Sequence, residues 1–206
     1  MREAIFMSGR GGHGILLAGT IVAEAAMQAG LNVSWYPIYD PEVRGGRTTC
    51  MVVISDGPVG SPIAGRYTIA VLMDETSVEQ QLPQVTEGGV ALINTSLAQV
   101  PPGTQIRIVG LPVSQMAEEM GEERVANMVM LGMFSAATGA LSVAQLAAAL
   151  PSVLSERHHK LIPLNRQAME AGFKAVEAED RRAVAATAHA GATGTAATAG
   201  GSQNVG

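Results

Sequence analysis

Cysteine is almost missing from this chain: Cys50 stands alone among 206 residues. A single thiol makes no internal disulfide and cannot hold an iron–sulfur cluster, which takes about four thiolates. Aromatic side chains supply only 3% of the residues, no basic stretch is interleaved with them, and the formal net charge is −5. That balance argues against nucleic acid as a partner. No serine elbow, zinc signature or Gly-Lys-Ser/Thr loop ending occurs. Charged residues are also scarce, at 15%, and positions 125–155 carry none. A transmembrane helix is nevertheless a poor reading of that run. Asn127, Ser135, Thr138, Ser142, Gln145 and Pro151 interrupt it, and Ser142-x-x-Gln145 is a capping box that starts a new helix halfway along. Two packed helices are expected, and no membrane.

What is present is apolar and small: 47% hydrophobic residues with 11 methionines, a flexible apolar content that suits a subunit interface. The length fits one domain with a tail to spare. Arg2 and Glu3 lead into an apolar strand too short to be a signal h-region, so a cytoplasmic location is expected. Periodicity predicts a buried strand at 3–8, a helix over 14–29 stopped by Gly30, strands over 32–39 and 47–55, and a strand over 68–73 followed by a helix over 75–82. Further strands are expected through Asn94 and over 105–110, then helices over 113–120, 123–140 and 143–150. Strands alternating with helices give an α/β sheet covered by helices on both faces. The seven-residue link Asp40–Gly46 is too short for a crossover, so its flanking strands should be antiparallel and the sheet mixed. Residues 156–182 read as a closing helix interrupted near Pro163. The domain is therefore assigned to 1–182, and the uncharged Ala/Thr/Gly stretch 183–206, with little to bury, to a disordered tail.

The chemistry concentrates in two clusters. The first strand ends in Ser8-Gly9-Arg10-Gly11-Gly12-His13-Gly14, in which Gly9, Gly11 and Gly14 have the Gly-x-Gly-x-x-Gly spacing of a strand-to-helix phosphate loop. Glycines let the backbone turn tightly and approach a ligand, while a helix start leaves N–H groups facing outward. A tight β–α turn of no further consequence fits the same residues. His13 is either a solvent-facing residue of the helix start or a donor to a ligand or partner. The second cluster, Tyr39-Asp40-Pro41-Glu42-Val43-Arg44-Gly45-Gly46-Arg47, sets guanidinium groups suited to phosphate or carboxylate beside a backbone that can come close. Asp40 and Glu42 also allow a local ion-paired loop. For a nicotinamide dehydrogenase an acid should stand about twenty residues past the glycine loop; Asp40, held between Tyr39 and Pro41, is a poor fit. Asn127, on an otherwise apolar helix, is either a helix–helix hydrogen-bonding residue or part of a ligand face. His158-His159 point about 100° apart on a helix and cannot share one metal ion.

Taken with Glu122-Glu123-Arg124-Val125-Ala126-Asn127-Met128, these clusters resemble the gamma-subunit family of the 2-oxoacid:ferredoxin oxidoreductases, from about Arg2 to Ala149. One departure is His13, where the family usually has glutamine; both side chains donate and accept. The resemblance implies a Rossmann-like domain in a complex that oxidatively decarboxylates a 2-oxoacid to acyl-coenzyme A. Alpha and beta subunits, with or without a ferredoxin-like or flavin subunit, would carry thiamine diphosphate and the iron–sulfur clusters, and ferredoxin or NAD would accept the electrons. It also implies that Gly9, Gly11, Gly12, His13, Gly14, Arg44, Gly45, Gly46 and Asn127 lie toward coenzyme A, with no catalytic residue and no metal on this chain. The other reading is a stand-alone nucleotide-binding protein using the same glycines.

Overall fold

The computed structural model describes residues 1–39, 46–61 and 63–194. A six-stranded mixed sheet has the order β2-β3-β1-β4-β5-β6, with β1 Arg2–Arg10, β2 Asn32–Tyr39, β3 Arg47–Ser55, β4 Tyr67–Leu72, β5 Val85–Asn94 and β6 Arg107–Leu111. Strands β1, β4, β5 and β6 run parallel, while β3 is antiparallel to both β1 and β2, as the short link between β2 and β3 requires.

Two unequal layers cover the sheet. Helices α1 (Ile15–Gln28), α3 (Val113–Glu119), α4 (Ala126–Thr138), α5 (Val143–Val153) and α6 (Ile162–Gly194) close the larger core, which includes Met7, Ile21, Cys50, Val71, Met128 and Phe134. The single helix α2 (Glu75–Gln81) and the turn after it cover a smaller cluster around Leu72, Val78 and Ile93. Methionine serves the interior more than a surface: Met7, Met73, Met128, Met130, Met133 and Met169 are buried, filling irregular space between helices. The open edge strand β2 leaves Trp35, Tyr36 and Ile38 exposed.

Helix ends follow local chemistry. Gly30, at φ 80°, stops α1 while the Leu31 N–H donates to the Ala26 carbonyl, the left-handed glycine cap that an L side chain disfavours. Ser142 and Gln145 close the expected capping box of α5. Pro163 sits in the first turn of α6, where its missing N–H costs nothing, so it opens that helix. Helix α6 continues to Gly194, twelve residues past the Arg182 boundary read from sequence. Alanine is the strongest helix former, so an Ala-rich continuation can propagate a helix already anchored by packing. Residues 195–206 lie outside the described residues.

Helices α4 and α6 cross at two glycines. A Cβ on Gly132 would stand 1.8 Å from the Met169 carbonyl oxygen, and one on Gly172 would stand 2.0 Å from that of Val129. This contact fixes α4, whose first turn carries Asn127 to the end of the sheet.

Candidate functional site at the C-terminal ends of the parallel strands

The chain leaves β1 through α1 toward β2 and β3 on one side, and leaves β4 through α2 toward β5 on the other, the two helices lying on opposite faces. The carboxyl ends of β1 and β4 therefore flank the topological switch point, where open α/β sheets bind ligands.

The glycine loop occupies this point. After Arg10, the Gly11 N–H donates to the Gly46 carbonyl at 2.8 Å, tying the loop to the segment before β3, and the His13 N–H closes a turn on the Arg10 carbonyl at 3.0 Å. Gly12 has φ 103° and Gly14, the residue before α1, has φ 69°. No side chain caps α1 and no acidic residue lies in its first turn, so among the described residues its leading N–H groups have no carboxylate partner. Gly14 is fixed twice. Its backbone is left-handed, and a Cβ there would come 2.3 Å from Asn127 Nδ2.

Asn127 uses only one end of its amide. Its Nδ2 donates to the Gly14 carbonyl at 3.2 Å, clamping α4 to the loop. Its Oδ1 is buried and has no hydrogen-bond partner. A second orphan acceptor stands nearby on Asp74, which follows β4 and caps α2. Asp74 Oδ1 accepts from the Ser77 N–H at 2.9 Å. The Ser77 hydroxyl lies 2.8 Å from the same oxygen and 2.9 Å from the Ser8 hydroxyl, so its proton goes to the carboxylate and it accepts from Ser8. Asp74 Oδ2 is buried without a partner, 3.9 Å from His13 Nδ1.

That nitrogen accepts from the Arg10 N–H at 3.2 Å, which leaves the ring proton on Nε2. Burial is the main force on His13 and lowers its pKa; Asp74 pulls it up and Arg10 pushes it down. The ring is therefore a neutral donor on the wall of a cleft of about 300 Å³, bounded also by Gly12, Met73, Leu97, Ser114 and Ala126. Glu118, Glu123 and Arg124 form its outer rim. Arg124 forks onto Glu122 at 2.8 and 2.7 Å and holds that carboxyl down at about 2. Asn94 braces the floor, donating to the Met73 carbonyl and to the Ser114 hydroxyl.

Gly9, Gly11, Gly12, His13, Gly14, Gly46 and Asn127 thus meet at one place. Arg44 and Gly45, with Asp40 and Glu42, lie outside the described residues. Sequence reasoning missed Asp74 and Ser77, although an Asp-x-x-Ser directly after an apolar strand is a legible helix-cap signal. His158 and His159 are spent on local bonds to Ser155 Oγ and the Leu154 carbonyl. Among the described residues no group of acidic, histidine or cysteine side chains could hold a metal ion, and no helix is long and apolar enough to cross a membrane.

Residues 4–175 match the family described as pyruvate ferredoxin/flavodoxin oxidoreductase. The chain is 37% identical over 168 residues to the ketoisovalerate oxidoreductase subunit VorA of Methanothermobacter marburgensis, an overlap of 81% of this chain and 35% of that one. It therefore spans about a third of the length of that relative. It is 34% identical over 146 residues to the 2-oxoglutarate synthase subunit KorC of Methanocaldococcus jannaschii, covering 69% of this chain and 78% of the other. The crystal structure of a keto/oxoacid ferredoxin oxidoreductase gamma subunit from Geobacter sulfurreducens superposes with a TM-score of 0.73 at 33% identity, over 84% of this chain and 95% of that one. These relatives are named as subunits, and the stand-alone nucleotide-binding reading finds no support among them.

Proposed function

Because the chain belongs to the pyruvate ferredoxin/flavodoxin oxidoreductase family, we propose that it is the gamma-type subunit of a complex converting a 2-oxoacid and coenzyme A to acyl-coenzyme A and CO2, with two electrons passed to ferredoxin. Alpha and beta subunits would carry thiamine diphosphate and the iron–sulfur clusters, since one cysteine cannot ligate a cluster. The domain comprises residues 1–182 with 183–206 as an appendage, and it works in the cytoplasm.

In this reading the chain contributes a coenzyme A face and no acid–base or redox chemistry of its own. The observation that carries it is the pair of buried acceptors, Asn127 Oδ1 and Asp74 Oδ2, left without donors at the switch point of the sheet. A buried polar atom without a partner costs about 1–3 kcal/mol, and native sites keep such atoms where a ligand or water completes them. Coenzyme A brings what they lack, two amide N–H groups and hydroxyls along a flexible arm. Around it, Gly12 would allow close approach of the backbone, His13 Nε2–H would donate to a carbonyl, and the α1 N-terminus with Arg44 would favour phosphate.

The test is the KM for coenzyme A in the reconstituted complex carrying Arg44→Ala. Loss of a charge-assisted contact of about 1.5–3 kcal/mol raises KM roughly ten- to a hundredfold, while coenzyme-A-independent decarboxylation is much less affected. Normal assembly with an unchanged KM refutes the ligand role of that loop.

A further inference from the structure

A second cationic feature lies on the α2 side of the sheet crest, apart from the cleft beside His13. The β1–β3 register places Arg10 directly opposite Arg47, so two guanidinium groups emerge from neighbouring strands on one face. Like charges in that relation destabilise a strand pair, and a chain of net charge −5 has carboxylates enough to neutralise them. Among the described residues neither arginine is in an ion pair. Arg47 bonds the neutral side-chain amide of Gln80, and among the described residues the Arg10 side chain makes no hydrogen bond. Asp74, on the wall between them, accepts from Ser77 with one oxygen and turns the other toward His13. Between the arginines lies a depression of about 160 Å³, bounded by Gly9, Arg10, Arg47, Asp74 and Thr76. Gly9 gives only backbone to its wall, since a Cβ there would point to the other face, 2.8 Å from His13 Nδ1.

We infer that Arg10 and Arg47 form a phosphate subsite, taking one phosphate group between their two planar forks, with the Thr76 hydroxyl as a further donor. Arginine presents paired N–H donors that match phosphate oxygens two at a time, and a dianion between the two forks removes the repulsion across the strands. The fold places this subsite and the cleft on either side of the glycine loop. A ligand with a phosphate at one end and a neutral, amide-bearing arm at the other would straddle the loop with its phosphate on the Arg10 side. That orientation rests on the coenzyme A reading; the phosphate subsite does not.

The experiment uses the full chain labelled with 15N and follows the arginine Nε–H signals. Two probes are titrated in, inorganic phosphate and adenosine 3′,5′-bisphosphate. Saturable shifts of Arg10 and Arg47 are expected with both, tighter for the nucleotide, and weakening as ionic strength rises. Arg10→Gln and Arg47→Gln, checked by thermal melting to be folded, should each reduce affinity at least tenfold. Affinity unchanged in both folded variants, or shifts confined to other arginines, overturns the subsite. Failure here leaves the Arg44 kinetics untouched, and flat Arg44 kinetics with intact phosphate binding refutes the coenzyme A reading alone.

Discussion

Replacing Gly14 by alanine probes the one residue at which backbone conformation, helix packing and site geometry coincide. At φ 69° the backbone is left-handed, and a Cβ would stand 2.3 Å from Asn127 Nδ2 and 2.9 Å from its Cγ. Holding an L residue in that conformation costs about 1–2 kcal/mol. Asn127 must then swing away, and its Nδ2, in a side chain that is 3% exposed, loses the Gly14 carbonyl. Stranding that donor adds about 1–3 kcal/mol. The sum, about 2–5 kcal/mol, is a large share of the 5–15 kcal/mol that typically separates folded from unfolded chains. Urea unfolding with linear extrapolation measures it, and a double-mutant cycle with Asn127→Ala separates the two parts. With Asn127 truncated the collision is gone, so Gly14→Ala should cost only its conformational part, leaving a coupling of about 1–3 kcal/mol. Equal cost in both backgrounds would refute the clamp.

Gly132→Ala sets two effects of opposite sign against each other: better helix propensity favours alanine by about 1 kcal/mol, while the Met169 carbonyl at 1.8 Å forces α4 and α6 apart. Overpacking should win, lowering stability by about 1–3 kcal/mol in chemical denaturation; a stabilised variant would contradict the crossing. His13→Gln should flatten the acid limb of the stability–pH curve. Burial lowers the native pKa of His13 below its ordinary 6.5, so between those values the unfolded chain binds more protons and the wild type loses stability as pH falls; identical pH profiles would refute it. Cys50, its thiol pushed up to about 12 by burial, should resist a thiol reagent at pH 8 until the chain is unfolded in urea, so rapid labelling of native protein would contradict the buried placement.

Elements whose cause is local were legible in the sequence. The Ser142/Gln145 box, the Gly30 stop and the antiparallel β2–β3 pair each follow from a few adjacent residues. The glycine loop was legible too, as spacing. What sequence could not place was pairing at a distance. Nothing in 68–73 says that β4 lies beside β1, and with that goes the switch point that brings Asp74 to His13. Arg10 and Arg47 become neighbours only through the β1–β3 register. Gly132 and Gly172 look like two helix-weakening residues until α4 and α6 cross at them. The tail boundary at Arg182 rested on lack of apolar residues, whereas the helix runs on to Gly194 through alanine propensity.

The most direct test of the coenzyme A face is hydrogen–deuterium exchange on the assembled complex with and without coenzyme A. Protection is expected in the peptides covering Gly9–Leu16, Asp40–Arg47 and Glu123–Met128, with none at the opposite end of the sheet around Thr68 and Thr86–Val90. Protection confined to the partner subunits, with the glycine loop exchanging at the same rate in both states, would contradict it.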